Sequence, residues 1–447
     1  MNKLYKDATE KKNLNSLHAI SKRISLFLIA LIAFSGFLQA QNVTIGASNY
    51  TTLKGAFDAI NAGTHTGAVI VNVNLNTTET AMAVLNSSGT GAASYTSVLV
   101  RPTANVTVSG NLGNAVIQLL GADNVTIDGL NGASQLTVNN TSTSVTASVI
   151  WIASASAVNG ATNNIVRNCI ITGNGPTTTG FGISSSGNTS SGSVAETANS
   201  NNTYQGNTIR ACQAGIAIAG PAGNESGNVI SNNTIGSIVA GNKLGFTGIG
   251  IAQQQNVLIS SNTILGVTST SGATSFQTSG ILVRGSISGG LIERNTISDI
   301  KMADFWGCSG ILLQSSSAAN NLTIANNFIY DVTAGGYVDA NSIDDGGYGL
   351  SISSGSGYNI YFNSIDMSTN MTGSSSNPNL TISAALWIGP ALTGTNNIRN
   401  NIFANRQTTG IRYAVYSNSS NSVFSAINFN DYFSAAGTLG FLGSARA

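Results

Sequence analysis

The sequence predicts an all-β fold: a right-handed parallel β-helix (solenoid) with a short N-terminal capping helix. Three observations favour it. An asparagine recurs with apolar residues at fixed distances on either side, a glycine followed by apolar residues recurs between these asparagines, and only 8% of the residues are charged. A solenoid grows in one dimension, so the 447 residues need not be divided into several globular domains.

The recurring asparagine is the first of these signals. In every repeat the residues three before and two after it are apolar, as with Ile259 and Ile264 around Asn262, and successive markers lie 26 to 40 residues apart. Asp128 fits the same frame one repeat earlier. The asparagines that define the frame are Asn168, Asn207, Asn233, Asn262, Asn295, Asn327, Asn363, Asn401 and Asn430.

This spacing breaks the two-residue alternation of a strand once. The chain must therefore bend between two strands, with the asparagine at the bend and pointing inward. Amides stacked about 4.8 Å apart can hydrogen-bond from rung to rung, because each carries two donors and an acceptor. We expect an internal asparagine ladder that satisfies a polar side chain inside an apolar core.

A second marker completes each rung: a small residue followed by alternating apolar residues, as in Gly280-Ile281-Leu282-Val283. The stretch from asparagine to this marker varies from 8 to 22 residues. One variable loop per rung should thus emerge on one side, which is often the binding face of a repeat protein. The markers begin at Gly182, Gly215, Gly248, Gly280, Gly310, Gly349 and Ala385.

Residues 1–40 are interpreted as a signal peptide, which would direct the protein to the cell surface or the medium. Lys22 and Arg23 precede an apolar run over 24–37, which at 14 residues is shorter than the ~20 needed to span a bilayer. No membrane span is expected once this segment is removed. An uncleaved anchor is the alternative interpretation.

Residues 41–127 are predicted to hold the N-terminal cap and irregular first rungs. Within them, residues 52–62 have a helical apolar stripe, with Thr51 as a candidate cap at the start and Gly63 at the end. The stripe consists of Leu53, Ala56, Phe57 and Ile60. A helix here would cover the open strand edge of the first rung, which otherwise invites aggregation.

Residues 128–447 are predicted to form the regular β-helix, truncated at its C-terminus. Only 15 residues follow Tyr432, fewer than an average rung, and they are rich in glycine and apolar residues without a capping helix or a charged edge. We therefore expect an uncapped last rung with apolar residues facing solvent.

Charge and cysteine content exclude some classes of protein. There are 18 basic and 17 acidic groups, of which six and two lie in residues 1–40, so the remainder has a net charge of −3. No basic stripe for nucleic acid is present. The three cysteines, Cys169, Cys212 and Cys308, leave at least one thiol unpaired. Cys212 and Cys308 should lie three layers apart, roughly 14 Å, too far for a disulfide.

The Asn-Asn-x-Ile-x-x-Asn-x-Ile pattern followed by Gly-Ile resembles the repeat of the pectate-lyase-like superfamily of right-handed parallel β-helices. The chain is similar above all to large secreted β-helix proteins of Bacteroidetes-type bacteria, on the segments 53–61, 121–130 and 441–446. The resemblance implies the right-handed parallel β-helix fold and an extracellular location. It leaves the activity open, since this superfamily includes lyases, hydrolases, adhesins and structural proteins. It also implies that relatives continue beyond the equivalent of Arg446.

Polysaccharide-active β-helices typically use charged side chains that project from the glycine-led strand. Here the outward positions between the apolar pairs carry no carboxylate, and Arg284 is the only charge near the strand ends. General acid–base chemistry needs titratable groups in place, so this face favours a non-catalytic role. The outward positions are Ala217, Gly250, Leu282, Leu312, Ser351 and Trp387.

The variable loops offer another candidate site. Asp299 and Asp331 each follow a ladder asparagine by four residues, so they should stack on adjacent rungs. Carboxylates at this spacing suit Ca²⁺ or attack on a glycosidic bond. The candidate metal ligands are Asp299, Asp331, Asp339, Asp344 and Asp345. The candidate glycan contacts are Trp306, Tyr330, Tyr337 and Trp387. The alternative is solvated loop charge, with aromatic rings that only pack the loops.

Two functions remain open from the sequence. The first is a non-catalytic adhesin or glycan-contacting scaffold on the cell surface, which requires no cofactor and has an extracellular polysaccharide or a cell-surface glycan as its partner. The second is a polysaccharide lyase or glycoside hydrolase that uses the acidic loops at 299–345, with Ca²⁺ as a possible ligand.

Overall fold

The structure is a computed structural model of the whole chain. It describes residues 22, 40–46, 49–223, 225–270, 278–303, 306–336, 345–371, 382–390, 392, 394–442 and 445–446. The predicted signal peptide, apart from Lys22 and Ala40, lies outside the described residues. No helix among the residues described is long and apolar enough to cross a bilayer.

The chain forms a parallel β-solenoid, which confirms the predicted fold. Each rung contributes a strand to sheet I, turns at the asparagine position, contributes a second strand to sheet II, and returns through a loop to a third strand in sheet III. Sheets II and III also hydrogen-bond to each other where Leu244 pairs with Val267. Isoleucine and valine side chains of all three sheets fill the interior.

Sheet I contains 13 strands in sequence order. Its strands are Gln41–Ile45, Gly67–Val73, Tyr95–Pro102, Val125–Asp128, Ile165–Arg167, Thr203–Gln205, Val229–Ser231, Leu258–Ser260, Leu291–Glu293, Leu322–Ala325, Tyr358–Tyr361, Asn396–Arg399 and Phe424–Asn428. Sheet II consists of Thr77–Glu79, Val106–Gly110, Ser134–Asn140, Ile170–Thr172, Thr208–Arg210, Thr234–Gly236, Thr263–Ser269, Thr296–Met302, Phe328–Tyr330, Val332–Ala334, Ser364–Met367, Ile402–Asn405 and Asp431–Ser434.

Sheet III holds the glycine-led strands. They are Ala83–Asn86, Ala115–Leu120, Ser148–Ala153, Phe181–Ser186, Cys212–Ala219, Leu244–Gln255, Thr278–Ser288, Cys308–Ser315, Gly347–Ser354, Ile382–Ile388, Ile411–Ser417 and Gly440–Leu442. Short extra strands are Leu130–Asn131, Glu225–Ser226 and Ala445–Arg446. Single 3-10 turns occur at Ala240–Asn242 and Asn421–Val423.

The predicted helix is present as α1, Leu53–Asn61, and its apolar stripe is buried. The N-cap is Thr52 rather than Thr51: its hydroxyl oxygen accepts from the backbone N–H of Gly55 at 3.0 Å. The Glu79 carboxylate accepts from the N–H groups of the first turn, Leu53 at 2.9 Å and Lys54 at 3.0 Å. A carboxylate at a helix N-terminus is stabilising because the orphan donors lie there.

The asparagine ladder is confirmed from Asn207 to Asn430. Asn262 shows the arrangement: its Nδ2 donates to Ile230 O and to Asn295 Oδ1, both at 3.0 Å. Its Oδ1 accepts from the backbone N–H of Asn233 at 3.0 Å and from Asn233 Nδ2 at 2.9 Å. The side chain is 1% exposed. Each amide thus bonds the rung before it and the rung after it, as expected.

The residue before each ladder asparagine adopts a left-handed conformation, which turns the chain from sheet I into sheet II. The angle φ is 56° at Asn232, 58° at Ser261 and 57° at Phe362. Such a conformation costs about 1–2 kcal/mol for residues other than glycine. Because it recurs in rung after rung, the ladder hydrogen bonds must offset this strain.

The predicted frame is wrong by one residue at Asn168. Cys169 occupies the ladder position, because its backbone N–H donates to Asn207 Oδ1 at 3.0 Å. Asn168 is the left-handed residue before it, with φ 58°. The apolar pairs on both sides of this asparagine allow either frame, and the structure buries Val166 and Ile171 as the flanking core residues.

Asp128 does not belong to the ladder either. It pairs in register with Arg167 in sheet I, and its Oδ2 lies 2.7 Å from Arg167 Nη2. The predicted core residue Leu130 is 46% exposed. A carboxylate in the column would be an uncompensated buried charge, whereas on the outer face it pairs with a cation at little cost.

The glycine markers have a steric cause. A Cβ added to Gly248 would lie 2.5 Å from Ile264 Cγ2 of sheet II and 2.5 Å from the backbone oxygen of Gly280 in the next rung. Gly280 and Gly310 meet the equivalent isoleucines at 2.4 and 2.3 Å. Sheets II and III therefore approach too closely for a side chain at these three glycines, whereas the equivalent position of a later rung holds the buried Ala385.

The three cysteines are free and buried, so the expected absence of a Cys212–Cys308 disulfide is confirmed. The strands that contain Cys212 and Cys308 are three layers apart in sheet III, as predicted. In the last described rung, Phe429 is 77% and Phe433 52% exposed. Outward-facing apolar residues of earlier rungs, such as Phe362 at 57%, are similarly exposed, so the predicted uncapped C-terminal end stays a prediction.

The ladder yields a stability prediction. Asn262→Ala should lower the free energy of unfolding by about 1–3 kcal/mol for each buried group that it leaves unsatisfied, among them Ile230 O and the backbone N–H of Asn233. The matched control is Ser260→Ala, two residues earlier, whose hydroxyl makes only contacts of 3.3 and 3.5 Å. Denaturant unfolding measures both. Equal losses for the two variants would contradict a structural role for the ladder.

Candidate functional site

The outer face of sheet III carries no carboxylate at the positions between the apolar pairs, and most of it is covered. Leu282 is 5%, Leu312 1% and Ser351 1% exposed, although they alternate with core residues such as Ile281 and Ile311. This surface is therefore not an open groove along these rungs. Its side chains pack beneath other parts of the chain.

Trp387, a candidate glycan contact, belongs to a second apolar cluster on this face. It is 3% exposed and its ring stacks on Tyr348, with centroids 5.2 Å apart and planes 14° from parallel. Tyr416 and Phe441 stack in the same cluster at 4.8 Å. The ring of Trp387 thus packs among other aromatic side chains on the outer face of sheet III and presents little surface to a ligand.

Asp299 and Asp331 lie on adjacent rungs, as the sequence predicts, because the residues that follow them, Ile300 and Val332, are in register. Both are in a left-handed conformation with φ 52°. Asp299 contacts Lys243 Nζ at 2.7 Å and Lys301 Nζ at 2.7 Å. Asp331 Oδ2 lies 3.4 Å from the same Lys301 Nζ.

These four side chains form an ion-pair network that connects several rungs. Burial alone would lower the pKa of Lys301, but its hydrogen bonds and charge pairing with Asp299 and Asp331 raise it, so the ammonium stays charged. Asp331 also accepts from the Thr369 hydroxyl at 2.6 Å. Two of the five candidate metal ligands are therefore neutralised by lysines.

The other candidates are only partly described. Asp339, Asp344 and Tyr337 lie outside the described residues, and Asp345 is partly buried. Among the residues that the structure describes, no group of three or more histidine, cysteine or carboxylate side chains could hold a metal ion. A shared Ca²⁺ site in these loops stays a prediction.

Trp306 and Tyr330 are the other two predicted glycan contacts that the structure describes. Trp306 is 44% exposed, at the loop before the strand Cys308–Ser315. Tyr330 projects from sheet II and stacks on Phe328, itself 45% exposed, with centroids 4.9 Å apart. Trp306 therefore presents an accessible ring, and Tyr330 and Phe328 form an aromatic pair on the outside of sheet II.

Sequence reasoning missed a second column of buried amides. It lies five residues before the ladder, at Asn164, Asn202 and Asn228, where backbone N–H groups of Asn164 and Asn202 donate to the next amide oxygen at 2.9 Å. The column spans only three rungs, fewer than the main ladder. The signal that could have revealed it is the Asn-x-x-x-x-Asn spacing within single rungs.

Glu225, a fully buried carboxylate that the sequence analysis did not identify, lies three residues before Asn228, the last amide of this column. Its Oε2 accepts from Asn199 N at 2.9 Å, and its Oε1 accepts from Asn228 Nδ2 and Gln254 Nε2, both at 3.0 Å. Burial raises the pKa of Glu225 to about 7, although the donors from Gln254, Asn199 and Asn228 act in the opposite direction. It occupies the position of an amide inside the core.

Solved structures with a similar fold include carbohydrate-active enzymes. The A-module of the mannuronan C-5 epimerase AlgE4 from Azotobacter vinelandii matches with a TM-score of 0.54 and 12% identity over 92% of this chain and 96% of that one. The GH136 lacto-N-biosidase from Eubacterium ramulus matches with a TM-score of 0.51 and 9% identity, over 90% of this chain and 68% of the other.

A surface adhesin is also among the similar structures. PfbA from Streptococcus pneumoniae matches with a TM-score of 0.47 and 13% identity over 88% of this chain and 100% of that one. No family model matches the chain. No curated protein matches it either. At identities this low, the likeness concerns the fold alone.

The fold defines the class of protein: the chain is a parallel β-solenoid. The similar structures include an epimerase and a lacto-N-biosidase, so the architecture does not select one activity.

The ion-pair network yields a second prediction. Asp299→Asn keeps a residue type that tolerates the left-handed conformation but removes the charge between Lys243 and Lys301. The free energy of unfolding should fall by about 1–3 kcal/mol at low salt, because this pair is largely buried, and by less at high salt. Thermal or denaturant unfolding at two ionic strengths measures it.

Asp58→Asn is the control for that experiment. Its exposed partner in α1 is Lys54, four residues earlier, and such pairs contribute only about 0.3–0.5 kcal/mol. A loss at Asp299 no larger than the loss at Asp58 would show that the network does not stabilise the loops.

Glu225 yields a pH prediction. Its folded pKa, about 7, is above the reference value of 4.5, so the folded state binds the proton more tightly than the unfolded state does. The contribution of Glu225 to the free energy of unfolding therefore rises as the pH falls from about 7 to about 4.5, by about 3 kcal/mol at most. Glu225→Gln, which cannot titrate, should lack this slope when unfolding is followed across the interval. Parallel profiles for variant and wild type would contradict the raised pKa.

Proposed function

We propose that this protein is a secreted or cell-surface β-helix that acts as a non-catalytic adhesin or glycan-contacting scaffold. The observation that carries the proposal is the pairing of Asp299 with Lys243 and Lys301. Each of the two oxygens of this carboxylate contacts an ammonium group, so neither oxygen is directed at a substrate. The outer face of sheet III, which is largely covered and has no carboxylate between the apolar pairs, supports the same function.

A surface scaffold of this kind contacts glycans through exposed rings and neutral polar groups. Trp306 is the accessible ring that we assign to glycan contact, with the Phe328–Tyr330 pair on neighbouring sheet II as a second surface. Stacking of an aromatic face on a sugar needs no cofactor. The extracellular location rests on residues 1–40, whose charge and apolar pattern is that of a signal peptide.

The second candidate is a polysaccharide lyase or glycoside hydrolase that uses the acidic loops at 299–345, with Ca²⁺ as a ligand. The observation that favours it is the stacking of Asp299 and Asp331 on adjacent rungs. Similar folds include a mannuronan epimerase and a lacto-N-biosidase, which fits carbohydrate as the substrate class. Ca²⁺ would have to displace Lys301 from both carboxylates.

A panel of neutral and acidic polysaccharides, each with and without Ca²⁺, separates the two functions. We expect retardation of the protein in affinity gels without release of shorter chains or of unsaturated products. Trp306→Ala should weaken retention, since loss of a stacking ring typically costs a large part of the binding energy at a small site. Trp387→Phe, which changes a covered ring, is the matched control and should bind normally.

Turnover of any polysaccharide would contradict the scaffold and support the enzyme. In that case Asp331→Asn should abolish turnover, and a Ca²⁺ requirement would identify the metal. Retention that is unaffected by Trp306→Ala would leave the scaffold function standing and exclude Trp306 as the contact.

A further inference from the structure

We propose that the outer surface of sheet I carries a binding site for a neutral glycan, in an open cavity built by four consecutive rungs. The cavity has a volume of about 280 Å³. The inference rests on the proposed glycan-contacting function and assigns it a specific site. The residues that line the cavity are Ala319, Asn321, Gly357, Tyr358, Asn359, Thr395, Asn397 and Ser425.

Two asparagines on neighbouring strands form the floor of this cavity. Asn359 and Asn397 are in register, and each is followed by a fully buried isoleucine, Ile360 or Ile398. Because side chains alternate along a strand, both amides project to the outside of the solenoid. Rungs stack about 4.8 Å apart, so two amides present donors and acceptors at a regular spacing along the axis.

The Asn359 amide has a fixed orientation, and the Asn397 amide has unused hydrogen-bonding capacity. Asn359 Oδ1 accepts from the Tyr361 hydroxyl at 3.0 Å, which holds the amide in place. Asn397 Oδ1 is shielded from solvent and has no hydrogen-bond partner among the described residues. A buried polar atom without a partner costs free energy. A ligand hydroxyl that reached this amide, directly or after rotation of the side chain, would remove the cost.

The chemistry of the lining favours a neutral sugar. Every polar side chain that lines the cavity is an amide or a hydroxyl, and none is charged. Sugar hydroxyls both donate and accept, as these groups do. The nearest cation on the same strands, Arg399, lies over the ring of Tyr361 with its Cζ 5.7 Å from the ring centroid. An acidic polysaccharide would need cations directed at its carboxylates, and the lining supplies none.

The site is separate from the variable loops. The cavity lies where strands of sheet I begin, before Leu322–Ala325, Tyr358–Tyr361 and Asn396–Arg399. Asp299 and Lys301 lie in the sheet II strand Thr296–Met302, and Trp306 lies between sheets II and III, so both are on the other side of the asparagine turn. A glycan bound here would run along the solenoid axis, across rungs, and would leave the loops free.

The test compares retention of the full chain by neutral glucans, galactans and mannans with retention by polygalacturonate, in affinity gels. The double variant Asn359→Ala/Asn397→Ala removes the floor, and Thr203→Ala is the matched control in the same outward column of sheet I. We expect at least one neutral glycan to bind the wild type and Thr203→Ala equally well. The same glycan should bind the double variant about tenfold more weakly, because several hydrogen bonds are lost.

Folding is controlled in two ways. Asn397→Ala removes a shielded, unsatisfied oxygen, so its melting temperature should equal or exceed that of the wild type. Ala319→Phe fills the cavity from an exposed position outside the strands and should weaken binding as the double variant does.

Three other outcomes of these binding measurements would contradict the proposed site. If the wild type binds no polysaccharide, the proposed function fails and the site fails with it. If the wild type binds but the folded double variant and Ala319→Phe bind equally well, the function stands and this cavity is not the site. Retention by polygalacturonate alone overturns the assignment to neutral glycans.

Discussion

The structure depends on the hydrogen bonds between stacked asparagine side chains and the backbone of neighbouring rungs. From Asn207 to Asn430, each turn from sheet I to sheet II is made by a left-handed residue, and the next residue is the ladder asparagine. The amide satisfies backbone groups that the turn leaves without strand partners, as Asn262 does for Ile230 O and for the N–H of Asn233. Since the same bonds repeat from rung to rung, they also hold the rungs in register.

The sequence predicts this ladder well because the pattern repeats many times with little variation. The glycine markers are predictable for the same reason, and the structure supplies their cause in the close approach of isoleucines from sheet II. The prediction is wrong at Asn168, where two apolar residues stand on each side and the pairing of Cys169 with Asn207 fixes the frame. It is also wrong at Asp128, which pairs with Arg167 on the outside of sheet I. Local pattern alone cannot distinguish frames that bury equally apolar residues.

The candidate sites were less predictable, because they depend on contacts between loops and between distant rungs. The stacking of Asp299 and Asp331 follows from the repeat, but the lysine between them does not. Trp387 is on the outward face as predicted, yet its stacking on Tyr348 covers it. Glu225 and the cavity at Asn397 have no sequence signature, since their burial and missing partners are properties of packing.

The missing side chain at the glycine markers has a mechanical consequence. At Gly248 the space for a Cβ is filled by the side chain of Ile264 and by the backbone of Gly280, which both belong to the next rung. A methyl group there could not be accommodated by one rung alone, because the displacement would be passed to the rung above and from there along the column. The solenoid should therefore respond to load as a stiff rod whose cross-section is set by its tightest contact, while its loops can vary in length without changing its thickness.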